Sequence, residues 1–180
     1  MTLKTFFKSQ TFKCILVLLA IALVSGGLLS IASDVLFVSE EERTTRAIKS
    51  IYGSEIAYET VFDLDKADSV PEYATGENGF VEKVYILEDG NYLIKATGKN
   101  GYKNGTVSIW AVATATDTVT LTKITVASYD KQTLMSKFDG KVLSDATQGD
   151  VVVSGATFSA RAFNNAVSAV QKYATAALIN

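Results

Sequence analysis

Residues 14–33 carry no charged side chain, a run of twenty in a chain of 180. As a helix rising about 1.5 Å per residue, such a run covers about 30 Å, the thickness of a bilayer's hydrocarbon core. Whatever else the chain builds must therefore fold beside a membrane-length segment. Lys4, Lys8 and Lys13 precede the run, and Asp34, Glu40, Glu41 and Glu42 follow it. Basic flanks stay in the cytoplasm, so a single-pass protein of the cell membrane is expected, its N-terminus cytoplasmic and its C-terminal domain extracytoplasmic. Gly26 and Gly27 interrupt the span, which bilayer helices tolerate. A cleaved signal peptide is the rival reading, with Ser30-Ile31-Ala32 as a passable small-x-small site. The apolar stretch exceeds an ordinary signal core and continues through Val35-Leu36-Phe37-Val38, which favours a retained anchor.

The remainder is long enough for one domain. Hydrophobic residues make up 48% of the chain, enough to form a core. A net charge of −2 suggests no basic face for nucleic acid. There is no histidine, so the commonest metal ligand and general base are absent. The single cysteine, Cys14, excludes an internal disulfide or an Fe–S cluster held by this chain alone, and it reads as a membrane-embedded thiol. Any redox role would need an imported organic cofactor.

The expected division is 1–38 for the cytoplasmic stub and anchor, 39–79 for a juxtamembrane helix and linker, and 80–180 for the domain. Ser39 followed by Glu42 resembles a capping box. It opens an amphipathic helix with Ala47, Ile48, Ile51 and Tyr52 on one side, read as a solvated spacer. The polar stretch 63–79, with the lone Pro71, reads as loop. Strands are expected over 80–86, 92–96, 107–113 and 119–127, joined by turns at Asp89-Gly90, Asn100-Gly101 and Asn104-Gly105. The fold class is then α+β: a single N-terminal transmembrane helix followed by one domain with an antiparallel sheet and flanking helices. Near the C-terminus Phe163, Val167, Val170, Ala174 and Ala177 recur at helical spacing, with Ala166 and Tyr173 beside them.

Directly before that helix lies Val153-Ser154-Gly155-Ala156-Thr157-Phe158-Ser159. The run resembles the flavinylation motif of the FMN-binding domain family, found in flavin-carrying subunits of Rnf electron-transport complexes and of the sodium-pumping NADH:quinone oxidoreductase. Gly101-Tyr102-Lys103-Asn104-Gly105 is similar to that family's Gly-aromatic-x-x-Gly turn. Two positions depart from the pattern. Val151 stands where an aspartate often precedes the motif, with Asp150 one residue further away. The stretch 128–137 lacks the His, Glu, Pro and Gly of the family's His-x-Glu-Thr-Pro-Gly-Leu-Gly segment.

The resemblance implies FMN held by a phosphoester bond to Thr157, with Ser154, Gly155, Ala156 and Ser159 as further cofactor-binding positions. A helix N-terminus suits a phosphate, because its amides and dipole face the anion. Gly155 and Ala156 leave the backbone open to close approach. Ser154 and Ser159 would donate to the phosphate or cap the helix. Trp110, Tyr102 and Phe158 are candidates to stack on the isoalloxazine, and Asp130, Lys131 and Asp150 to tune it. Thr157 has no adjacent base, so a separate flavin transferase would attach the group. The implied role is electron relay with other membrane subunits of an Rnf-type ferredoxin:NAD oxidoreductase, without turnover by this chain alone. Two alternatives stand beside it: a stand-alone flavinylated protein of extracytoplasmic electron transfer, and a non-redox, membrane-anchored binding or assembly domain.

Overall fold

The computed structural model describes residues 10–36, 38–144 and 157–179. The chain divides into two compact units, Met1–Arg43 and Thr44–Asn180. In the first, helix α1 runs over Gln10–Leu36. Its segment Phe12–Ile31 has a mean hydropathy of 2.7 and none of it is buried in protein, so it is long and apolar enough to cross a membrane. Cys14 lies exposed on this helix. The Ser25 hydroxyl donates to the Ile21 carbonyl at 2.7 Å, which satisfies it without water.

Helix α2 spans Glu40–Tyr52. The Glu42 amide donates to Ser39 Oγ at 3.2 Å, the N-terminal cap that the sequence signals. Gly53, at φ +79°, ends the helix, its amide donating to the Lys49 carbonyl. From Thr44 onward the helix is part of the second unit. It is no solvated spacer: Thr44, Ala47, Ile48 and Ile51 are buried. Ala47, Ile48 and Ile51 pack on Tyr85, Leu87, Leu93, Trp110 and Val112 of the sheet. Lys123 Nζ donates to the Ile51 carbonyl at 3.1 Å and lies 4.8 Å from the Tyr52 ring, fixing the helix end.

The sheet is an antiparallel meander in chain order: β1 Tyr58–Asp63, β2 Gly79–Leu87, β3 Tyr92–Gly98, β4 Val107–Ala115, β5 Val119–Tyr129 and the short β6 Leu143–Ser144. The four expected strands are all present, each two residues longer than expected. β1, which the sequence did not signal, adds an edge strand against β2. Gly90 at φ +81° turns β2 into β3, with the Asn91 amide donating to Asp89 Oδ1 at 3.0 Å. A register shift between Val81 and Lys83 puts Val81 and Val84 on the same face.

Helix α3, Thr157–Ala177, covers the other face. Phe163, Ala166, Val167, Val170 and Ala174 meet Val81, Val84, Ile94, Ala96, Ile109, Ala111 and Ile124 in the larger core. Contact is close because Gly79 and Gly98 are register partners beneath the helix. A Cβ at Gly98 would collide with the Ala162 carbonyl oxygen, and one at Gly79 would lie 2.9 Å from the Asn165 oxygen. The paired glycines thus let the helix backbone rest on the strand backbone, which sets the height and position of its N-terminus.

Candidate functional site

Thr157 is the first residue of α3 and is exposed. It borders an open cleft of about 440 Å³ lined by Tyr102, Lys131, Thr133, Leu134, Thr157, Phe158 and Ser159. Three segments meet there: the turn between β3 and β4, the turn after β5 with its short 3-10 helix Thr133–Phe138, and the first turn of α3. Tyr102 is 50% exposed, Leu134 41% and Phe158 51%, so three large apolar side chains stay open to solvent in one place. Clustered exposure of this kind marks a surface that receives something.

The keystone is Gln132, only 1% exposed. Its Oε1 accepts from the Tyr102 amide at 3.0 Å and from Ser159 Oγ at 2.8 Å. Its Nε2 donates to the carbonyls of Tyr102 at 2.9 Å and Asp130 at 3.0 Å. Both donors and both acceptor sites of the amide are used, so the burial costs little. One neutral side chain thereby ties all three walls of the cleft together. Gly101 gives it room, since a Cβ there would sit 2.8 Å from the Gln132 amide.

Backbone conformation sharpens the picture. Among the described residues, the non-glycine positions with positive φ are Asn100 (65°), Lys103 (50°), Asn104 (57°) and Lys131 (58°). All four lie in the two turns that Gln132 joins. Asparagine visits this region readily, but each lysine costs on the order of 1 kcal/mol. Such cost is maintained where surrounding contacts over-determine the backbone, and it concentrates at functional sites.

The charges around the cleft are basic. Lys103 Nζ lies 5.4 Å from the Tyr102 ring centre, and the Arg161 guanidinium lies 5.1 Å from that of Phe158. Two aromatic walls each carry a cation on one side. The Lys131 ammonium pairs with the Asp130 carboxylate at 3.3 Å, both exposed. The first-turn amides of α3 have no partner within the helix and add a partial positive charge.

The expected site residues separate clearly. Thr157, Ser159, Tyr102, Phe158 and Lys131 come together at the cleft. Ser154, Gly155 and Ala156, with Asp150 and Val151, lie outside the described residues. Ser159 is buried and its hydroxyl donates to Gln132, so its proton is already used inside the wall. Trp110 is on the opposite face of the sheet, 4% exposed and packed beneath α2, with Lys95 Nζ 5.6 Å from its ring. It belongs to the core and cannot stack on a group held by Thr157. Asp130 contributes its backbone carbonyl to Gln132 and its carboxylate to Lys131.

Sequence reasoning missed Thr133 and Leu134 as cleft residues and Gln132 as the buried link behind them. The stretch containing them was read for the family residues that it lacks, and a lone glutamine in a polar turn carries no signal of burial.

No family model matches this chain, no curated protein matches it, and no solved structure matches it.

Proposed function

We propose that the chain is a membrane-anchored flavoprotein of the FMN-binding domain type, with FMN esterified to Thr157, relaying electrons on the extracytoplasmic side within an Rnf-type complex. The observation that carries this reading is the placement of Thr157. It is exposed at the start of a 21-residue helix, on a cleft walled by exposed Tyr102, Leu134 and Phe158.

The residues present fit the group. A volume of about 440 Å³ is within the usual range of ligand pockets, about 300–1,000 Å³. Its apolar walls suit a planar ring system, and the helix N-terminus with Arg161 and Lys131 nearby suits a phosphodiester. When bound, the flavin would supply the electron-carrying chemistry. The chain's own residues position it, keep it tethered and set its surroundings.

Attachment is a transfer between phosphate esters. The Thr157 hydroxyl would displace AMP from the FMN phosphorus of FAD, a new O–P bond forming as the pyrophosphate O–P bond breaks. The hydroxyl proton must go to a base. This reading assigns that base to the transferase it requires. Ser159 does not compete, because it is buried and donates to Gln132. A tether of this kind holds the flavin without a dissociation equilibrium.

The test is the intact mass of protein isolated from its native membrane or co-produced with a flavin transferase. One FMN adduct is expected on wild type and none on Thr157→Ala, with folding retained because Thr157 is exposed. Unmodified Thr157 in native material would overturn the reading. Co-purification with partner membrane subunits separates the Rnf-type assignment from a stand-alone flavinylated protein. A colourless product in the presence of the transferase would favour a non-redox binding or assembly domain.

A further inference from the structure

Segments 101–105, 130–134 and 157–161, which wall the cleft, carry Lys103, Lys131 and Arg161 against one carboxylate, Asp130. That is a net charge of +2 over these segments in a chain whose formal net charge is −2. All three cations are exposed. Lys103 and Arg161 are not spread at random: each lies over the aromatic wall that its own segment contributes, placing positive charge on two sides of the opening. Between them the exposed faces of Tyr102, Leu134 and Phe158 form an apolar centre. An apolar centre with a rim of one sign is the anatomy of a docking surface, and the sign selects the partner.

We propose that this rim docks the acidic face of an electron-carrying protein. The proposal rests on the flavin reading for its purpose, since Thr157 lines the same cleft. A phosphodiester on Thr157 would offset one positive charge and leave a surplus. Carboxylates on the partner would meet Lys103, Lys131 and Arg161, while its apolar centre would lie over Phe158 and Leu134. Charge steering would speed encounter, and the apolar contact would bring the two carriers within electron-transfer distance.

The experiment uses the full chain in an uncharged detergent and reads backbone amide resonances. Hexacyanochromate(III), a paramagnetic trianion, is expected to broaden residues 102–104, 131–134 and 158–161 most, while the hexaamminechromium(III) cation spares them. Equal broadening of those amides by both ions, or anion broadening spread evenly over the domain, would overturn the proposal. Flavodoxin, a small acidic electron carrier, is the protein probe. Its binding is expected to shift the same amides and to weaken at least about tenfold at low salt in a Lys103→Glu, Arg161→Glu double variant, with the gap closing as salt is raised above about 0.15 M. Binding that ignores charge reversal would refute the docking face. Both side chains are exposed, and an unchanged amide spectrum elsewhere shows that the variant is folded. Each measurement is repeated on Thr157→Ala. Absence of flavin from the wild type would sink the carrier reading alone, whereas loss of docking in flavin-loaded protein would sink this proposal alone.

Discussion

Replacing Gln132 tests whether one amide holds the cleft in shape. Gln132→Ala removes four hydrogen bonds that reach Tyr102 N–H, Tyr102 C=O, Asp130 C=O and Ser159 Oγ. The Tyr102 and Asp130 groups lie in surface turns and recover water in part. Ser159 is 5% exposed and does not. One buried orphan costs about 1–3 kcal/mol, and the cavity with the partly recovered groups adds a similar amount. The expected loss is roughly 2–6 kcal/mol, at about 3–5 °C in Tm per kcal/mol for a unit of this size. Gln132→Glu refines the test. A carboxylate still accepts from Tyr102 N–H and Ser159, but it faces the Tyr102 and Asp130 carbonyls without a proton to offer. Its folded-state pKa must rise, so the variant should be unstable at neutral pH and regain stability as pH falls and the carboxyl protonates. Thermal unfolding of the full chain in neutral detergent, followed by circular dichroism between pH 4.5 and 8, reads both effects. A Gln132→Ala loss below about 1 kcal/mol, or a Gln132→Glu profile parallel to wild type, would refute the keystone argument.

Other consequences can be checked in the same way. Gly98→Ala forces a methyl group against the Ala162 carbonyl; it should lift α3 and cost more than the roughly 1–3 kcal/mol typical of overpacking, read as a drop in Tm. Ile48→Ala should cost about 2–5 kcal/mol in denaturant unfolding, because α2 is a packed layer; a loss below about 1 kcal/mol would return it to a spacer. Tyr52 and Tyr173 are each pushed up to about 12, both first by burial and then by Asp89 and Tyr73 respectively. Each phenol keeps its proton in the folded chain where the unfolded chain releases it, so stability should fall as pH rises from about 10 to about 12. Tyr173→Phe should flatten that decline in an alkaline titration of Tm.

The meander was legible because its punctuation is local. Asp89-Gly90 and the Asn-Gly pairs sit between β-rich runs, and each turn dictates the next pairing. β1 escaped because an edge strand needs little burial: Glu59, Thr60 and Val61 are exposed and leave no clean alternation. The amphipathic face of α2 could be read, but not its destination, since a sheet covered on both faces shows two apolar rows. Ile109 and Ala111 face α3 while Trp110 and Val112 face α2, and nothing local in the sequence says which row meets which helix. The same ambiguity made Trp110 a candidate for the cleft. That a helix begins at about Thr157 was legible from the apolar periodicity behind it. Gln132 was not, because its importance arises from three segments distant in sequence that converge only when folded.

Helix α3 follows every strand of the sheet in chain order, yet its apolar side covers β2, β3 and β4. During synthesis the hairpins can zip one after another, but Ile94, Ile109 and their neighbours remain wetted until the helix arrives. Closing that face and presenting Thr157 are therefore the same event. A half-made chain has neither a sealed interior nor Thr157 in its final place, so under the proposed flavin attachment an enzyme that reads the finished surface would load only molecules that have completed folding.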